Sequence, residues 1–173
     1  MRRRTFVRAF LALICLGLAV FWVWALFFPP TKQSVVKIDD QAWTERAQAV
    51  CREANLERDD LIDLTRIEDA GPDALARRAT LIDEATDIVE AMVDEVVSVQ
   101  PVGLENQRLV ETWENLFRTL IDDRRAYTDV LRLGRNEPFA ETMAEDSPVS
   151  SYLNDFAVGN RMTDCKAPMD LAV

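Results

Sequence analysis

Thirty carboxylates, three cysteines and no histidine set the chemistry open to this chain of 173 residues. Several acidic side chains fall close together: Asp59, Asp60 and Asp63, then Asp83, Glu84 and Asp87, then Glu90 and Asp94. Paired carboxylates can hold a divalent cation or divide acid and base roles between them. At helical spacing, however, these positions fall outside the apolar stripes, which makes them a solvated face. No Asp-x-Asp-x-Asp-Gly calcium loop occurs. The absence of histidine removes Ser-His-Asp and Cys-His catalysis, His-ligated zinc and the Glu-x-x-His di-iron site. The sequence therefore predicts no catalytic residue, no metal site and no cofactor.

Cysteine offers a different chemistry. Cys51 and Cys165 form an even pair in a region that reads as exported, and such a pair reads as a disulfide. Two free thiols, or pairing between chains, remain the alternatives. Cys15 sits inside an apolar run as an ordinary small apolar residue.

That run decides where the chain resides. Ala9 to Phe28 is 20 residues without a charge, about the length that crosses ~30 Å of hydrocarbon. Trp22 and Trp24 lie toward its far end, where indoles favour the headgroup layer, and Pro29-Pro30 close it. Arg2, Arg3, Arg4 and Arg8 precede it, and basic residues stay on the cytoplasmic side. The expectation is a short cytoplasmic tail (1–8), a transmembrane helix in contact with membrane lipid (9–28), a tether (29–38), a helical body (39–165) and a C-terminal tail (166–173). The body then lies outside the plasma membrane. A cleaved secretory signal is the rival, but residues 24–29 read Trp-Ala-Leu-Phe-Phe-Pro, without a small-x-small site. A lipoprotein fits less well, because Ile14 precedes Cys15 where a small residue is needed. From Pro29 onward the chain holds all 30 acidic residues and 16 of the 20 basic ones, a net charge of −14. Such a surface repels nucleic acid and anionic headgroups.

Helices must position everything else. Asp39 or Asp40 caps a first helix with Trp43, Ala47, Val50, Ala54, Leu61, Leu64 and Ile67 on one face, stopped at Ala70-Gly71-Pro72. Asp73 caps a second, in which Leu75, Ile82, Val89 and Val96 recur every seven residues beside Ala85, Met92 and Val99. Ala79, Leu81, Ile88 and Val93 widen this stripe, so the helix faces two neighbours. A third spans Leu104 to Leu133 with Leu109, Trp113, Leu116, Phe117, Leu120, Tyr127, Val130 and Leu131, and Gly134 stops it. A final helix near 148–162 follows a broken stretch, and nothing reads as a strand. Short connections force antiparallel neighbours. The predicted fold is all-α: one transmembrane helix and an up-down-up-down four-helix bundle. Cys51 and Cys165 are within bridging reach in that arrangement. The end, Cys165 to Val173, is expected to be ordered near the cysteine and frayed beyond it.

The aromatics Trp43, Trp113, Phe117, Tyr127, Tyr152 and Phe156 occupy stripe positions, which suits a core better than a ligand cage. Arg124 interrupts the third stripe and is expected half buried with a carboxylate partner, a structural salt bridge first and a ligand contact second, while Glu114 and Arg118 suit an exposed i, i+4 pair. Asn160 and Phe156 lie on the inner side of the last helix, where they are expected to dock the loop carrying Cys165.

The segment FAVGNRMTDCKAP (156–168) is similar to the C-terminal pattern of membrane-anchored helical proteins of actinobacteria with no assigned activity. Trp43, eight residues before Cys51, and Trp113 resemble the same family. The likeness is loose over the ectodomain and best over the last twenty residues. It implies an actinobacterial source and a disulfide, and brings no catalytic residue.

Three functions follow from these readings. The first is an interaction module or accessory subunit that binds another envelope protein. A second is an ectodomain holding a small apolar molecule between helices. The least favoured is an envelope enzyme working through carboxylates alone.

Overall fold

The computed structural model describes residues 10, 13–18, 20–22, 37–61, 71 and 73–170. The chain divides into two units, Met1–Gln33 and Ser34–Val173. In the first, Phe10 and residues 13–18 and 20–22 are helical and exposed. Among the described residues no helix is long and apolar enough to cross a membrane. Much of the predicted span 9–28, the tether through Val36, and Arg2, Arg3, Arg4 and Arg8 lie outside the described residues.

The described residues of the second unit are mostly helical. Its elements are α1 (Gln41–Asp59), α2 (Ala74–Val97), α3 (Leu104–Arg132), a two-residue hairpin of β1 (Met143–Ala144) and β2 (Ser147–Pro148), α4 (Val149–Gly159) and a 3-10 turn (Thr163–Cys165). Asp40 caps α1 by accepting from the Trp43 N–H at 3.0 Å. Its other oxygen accepts from the Val102 N–H at 2.9 Å, across the entry to α3. The Val102 bond and then the Trp43 bond hold the Asp40 carboxyl below its usual range. The sequence expectation for Asp73 is not met: it stands at the start of α2 but its side chain makes no cap bond. Gly134 ends α3 at a φ of 78°, with its N–H on Leu131 O and the Arg135 N–H on Val130 O. That pair of bonds is a Schellman motif.

Cross-helix pairs set the directions. On α2 and α3, Asp94 meets Arg118, Asp87 meets Arg125 and Asp83 meets Arg132, so the two helices run antiparallel. On α1 and α2, Arg46 meets Glu95, while Val50 and Ala54 lie level with Met92 and Ile88. Packing then passes from α1 to α2, to α3, to α4. Between α4 and α1 the 3-10 turn intervenes and packs on both. Trp113, Phe117, Val93, Val96, Leu153 and Met162 are all fully buried in the central cluster. Each such side chain contributes on the order of 1.5–3 kcal/mol relative to exposure.

Four expectations need correction. Val99, placed in the second stripe, is exposed at the turn between α2 and α3, because α2 ends at Val97 and the chain has already begun to turn. The stretch before α4 contains a β-hairpin, where no strand was expected. Only two pairs of residues hold it, too few for a period-two pattern to be visible. The last helix stops at Gly159, short of 162, because Arg161 takes a φ of 59°. For α1, regular helix ends at Asp59; Leu64 and Ile67 lie outside the described residues.

Candidate functional site

The densest polar constellation holds the C-terminal segment, residues 160–170, against the helices. Cys51 of α1 and Cys165 of the 3-10 turn form a disulfide, both fully buried, with Cα atoms 5.1 Å apart. Around it, one face of α1 grips the turn. Gln48 donates from Nε2 to Asp164 Oδ2 at 2.6 Å, and its Oε1 accepts from the Asp164 N–H at 3.0 Å. Arg52 donates to the same carboxylate at 3.1 Å, and Asn55 Nδ2 donates to the Asp164 carbonyl at 2.8 Å. Positions 48, 51, 52 and 55 are spaced i, i+3, i+4 and i+7, the spacing that aligns side chains on one helix face.

Asn160 stands where this segment leaves the end of α4. It is buried; its Oδ1 accepts from the Ile38 N–H at 2.7 Å and its Nδ2 donates to Phe156 O at 2.9 Å. It thus ties the end of α4 to Ile38, just ahead of α1. Phe156 is buried against Trp113, ring centroids 6.4 Å apart. After Asn160 the chain reverses through a second Schellman motif, with Arg161 N–H on Val158 O and Met162 N–H on Ala157 O. Further on, the Ala167 N–H donates to Asn154 Oδ1 at 3.0 Å.

As far as residue 170, where fraying was expected, the segment is held by an ion pair between Arg124 and Asp170; residues 171–173 lie outside the described residues. Arg124 is 1% exposed. Its Nη1 and Nη2 donate to the two oxygens of Asp170 at 2.7 and 3.0 Å, and its Nε donates to Thr86 Oγ1 at 2.8 Å. The fork is bidentate, the strongest form of carboxylate recognition. Burial pushes the Asp170 carboxyl up, but the Arg124 bonds and charge, with Arg58 nearby, outweigh it and leave the group below its ordinary value. Burial likewise pulls the Arg58 guanidinium down, against the attraction of Asp170. The expectation that Arg124 takes a carboxylate partner is met, with burial complete on its side. Asp170 itself was not foreseen, since thirty carboxylates were available and nothing in their spacing marks one in the tail. Asp164, Gln48 and Asn55 were missed for a related reason: polar residues beside a cysteine face look like ordinary helix surface.

The acidic clusters are distributed over arginines. Arg118 bonds Asp94 and Glu114, and Arg125 bonds Glu90 and Asp87. The hydrogen bonds that the two guanidinium groups donate to those carboxylates hold both above their ordinary value. Asp83 bonds Arg132 and Thr128, Asp59 and Asp60 are exposed, and Asp63 lies outside the described residues. Among the described residues no three Cys, Asp or Glu side chains converge on a point that could hold a metal ion. The aromatic side chains pack on one another: Trp113 and Phe117 stand edge to face at 4.8 Å, Tyr127 and Phe139 at 5.5 Å.

Grooves on the described surface include two that none of those rings lines. One of about 340 Å³ runs along α3 beside Leu104, Gln107, Val110 and Glu111. The other, about 480 Å³, lies between α1 and α2. Val50, Ala54, Ile88, Ala91 and Met92 make its floor; Glu53, Glu57 and Asp87 make its rim.

No protein-family model, curated protein or solved structure matches the chain.

Proposed function

We propose that this chain is a single-pass membrane protein whose N-terminus is cytoplasmic and whose acidic, antiparallel four-helix ectodomain works outside the membrane as an interaction module or accessory subunit for another envelope protein. One observation carries the reading: a buried disulfide between Cys51 and Cys165 follows, in the same chain, a charge-free run of 20 residues preceded by four arginines. Disulfides persist in oxidising compartments, and the arginines favour retention of the N-terminus inside. The polar clamp on residues 160–170 supports a recognition role, because it spends the segment's polar groups on fixing a shape. The net charge of −14 from Pro29 onward supports a partner with basic surface and argues against nucleic acid.

Thiol labelling in intact cells tests the location. Cys51 and Cys165 should resist a maleimide reagent until cells are lysed, denatured and reduced. Free reactivity of both, or a mature chain that begins after Pro30, would overturn the anchored reading. Detergent extraction and affinity capture test the role: a stoichiometric partner should co-purify, and recovery of the chain alone would remove the interaction module.

A further inference from the structure

We infer that the groove between α1 and α2 is a docking site for a basic amphipathic helix of a partner protein. The inference rests on the interaction-module reading above and names the chemistry of its partner. The groove floor is apolar and low: Ala54 and Ala91 face it from opposite helices, with Ile88 half-buried and Met92 buried between them. Small residues let a third helix approach to the 8–10 Å of ordinary helix packing. The groove follows α1 from Val50 to Glu57, about two turns. An occupant with apolar side chains at i, i+3 or i+4, and i+7 matches that length.

Charge selects the occupant further. Glu53 and Glu57 stand exposed on the α1 wall and have no ion-pair partner among the described residues. This sets them apart from the carboxylates that face α3, where Asp83, Glu90 and Asp94 are each bonded to an arginine. Asp87, on the α2 wall, already shares Arg125 with Glu90. Lysine or arginine flanking the apolar stripe of a docked helix would meet the two glutamates along one side. Steering by the surrounding negative surface would speed its arrival.

A photoreactive benzoylphenylalanine in place of the exposed Ala91 tests this in the full-length protein in its own cells. Irradiation should give one adduct. Mass spectrometry should map it to a segment with Lys or Arg on either side of an apolar i, i+4, i+7 stripe. Glu53→Lys with Glu57→Lys should cut the adduct yield at least tenfold, and the neutral pair Glu53→Gln with Glu57→Gln should cut it less. A non-reducing gel showing the intact disulfide would establish that the variants fold. No adduct, an adduct to lipid, to a second copy of this chain or to an acidic segment, or a yield indifferent to charge reversal would each overturn the inference. Alkaline extraction and protease accessibility on the same cells report the anchor separately. An anchored, outward-facing chain without an adduct sinks the groove alone, and an unanchored chain with a basic-helix adduct sinks the anchored reading alone.

Discussion

Replacing Asp170 by Asn is the most demanding test of the clamp. The amide keeps the shape of the side chain but removes its charge and one of two acceptors. Arg124, 1% exposed, would then keep Thr86 Oγ1 and a single amide oxygen, with Arg58 nearby and no anion between the two cations. Removing one partner of a buried pair costs about 3–5 kcal/mol, chiefly because the remaining charge is stranded. The Asp170 side chain is 23% exposed, so water can reach this edge and the expected loss falls to about 2–4 kcal/mol. The converse change should be milder. Arg124→Met places an apolar chain of similar length in the core, Asp170 can turn to solvent, and Thr86 retains its bond to Ile82 O at 2.6 Å. Its expected cost is about 1–2 kcal/mol, within the usual range for a single substitution. Urea unfolding of the oxidised full-length protein in detergent at neutral pH, compared at equal slope, measures both. A loss below about 0.5 kcal/mol for Asp170→Asn, or a greater loss for Arg124→Met, would refute the claim that stranding of the arginine dominates.

The same pair predicts a response to acid. The Asp170 pKa is lowered in the folded state, so its contribution is full above the ordinary value of 3.8 and is lost as pH falls through the lower folded value. The stability gap between the native protein and Asp170→Asn should therefore shrink below about pH 4, read by urea midpoints at a series of pH values. Reducing the disulfide, or Cys51→Ala with Cys165→Ala, should lower stability by up to about 4–5 kcal/mol, since the bridge closes a sequence separation of 114 residues. Thermal unfolding with and without reductant checks it. Asn160→Ala removes the acceptor of the Ile38 N–H and should cost about 1–3 kcal/mol, whereas Asn160→Asp keeps that acceptor and should cost less. Arg161→Gly should raise stability by roughly 0.5–1 kcal/mol, because φ of 59° penalises a side chain and the exposed arginine holds no buried contact.

The two helix ends that use the same turn show what local sequence reveals. At Gly134 the residue type itself announces the left-handed turn, and α3 ends where the sequence places it. At Arg161 an unfavourable residue adopts the same conformation because buried Met162 and the disulfide beyond it hold the chain there. No local rule reports that. The minimal β-hairpin escaped notice likewise, since Thr142 is fixed by Asp123 of α3 through bonds of 2.6 and 2.8 Å that only the folded chain creates.

What the sequence determined by itself is what repeats along it. The seven-residue stripe of α2, a cap at Asp39 or Asp40, the bounds of α3 and the pairing of two cysteines follow from period, residue type and parity. Tertiary structure alone decided the partners. Which of thirty carboxylates meets Arg124, which face of α1 holds Asp164, and which glutamates meet an arginine among the described residues depend on distances between residues far apart in the chain. The physical reason is range: a helix is set by neighbours three or four residues away, whereas charges and hydrogen bonds select among all groups that folding brings within a few ångströms.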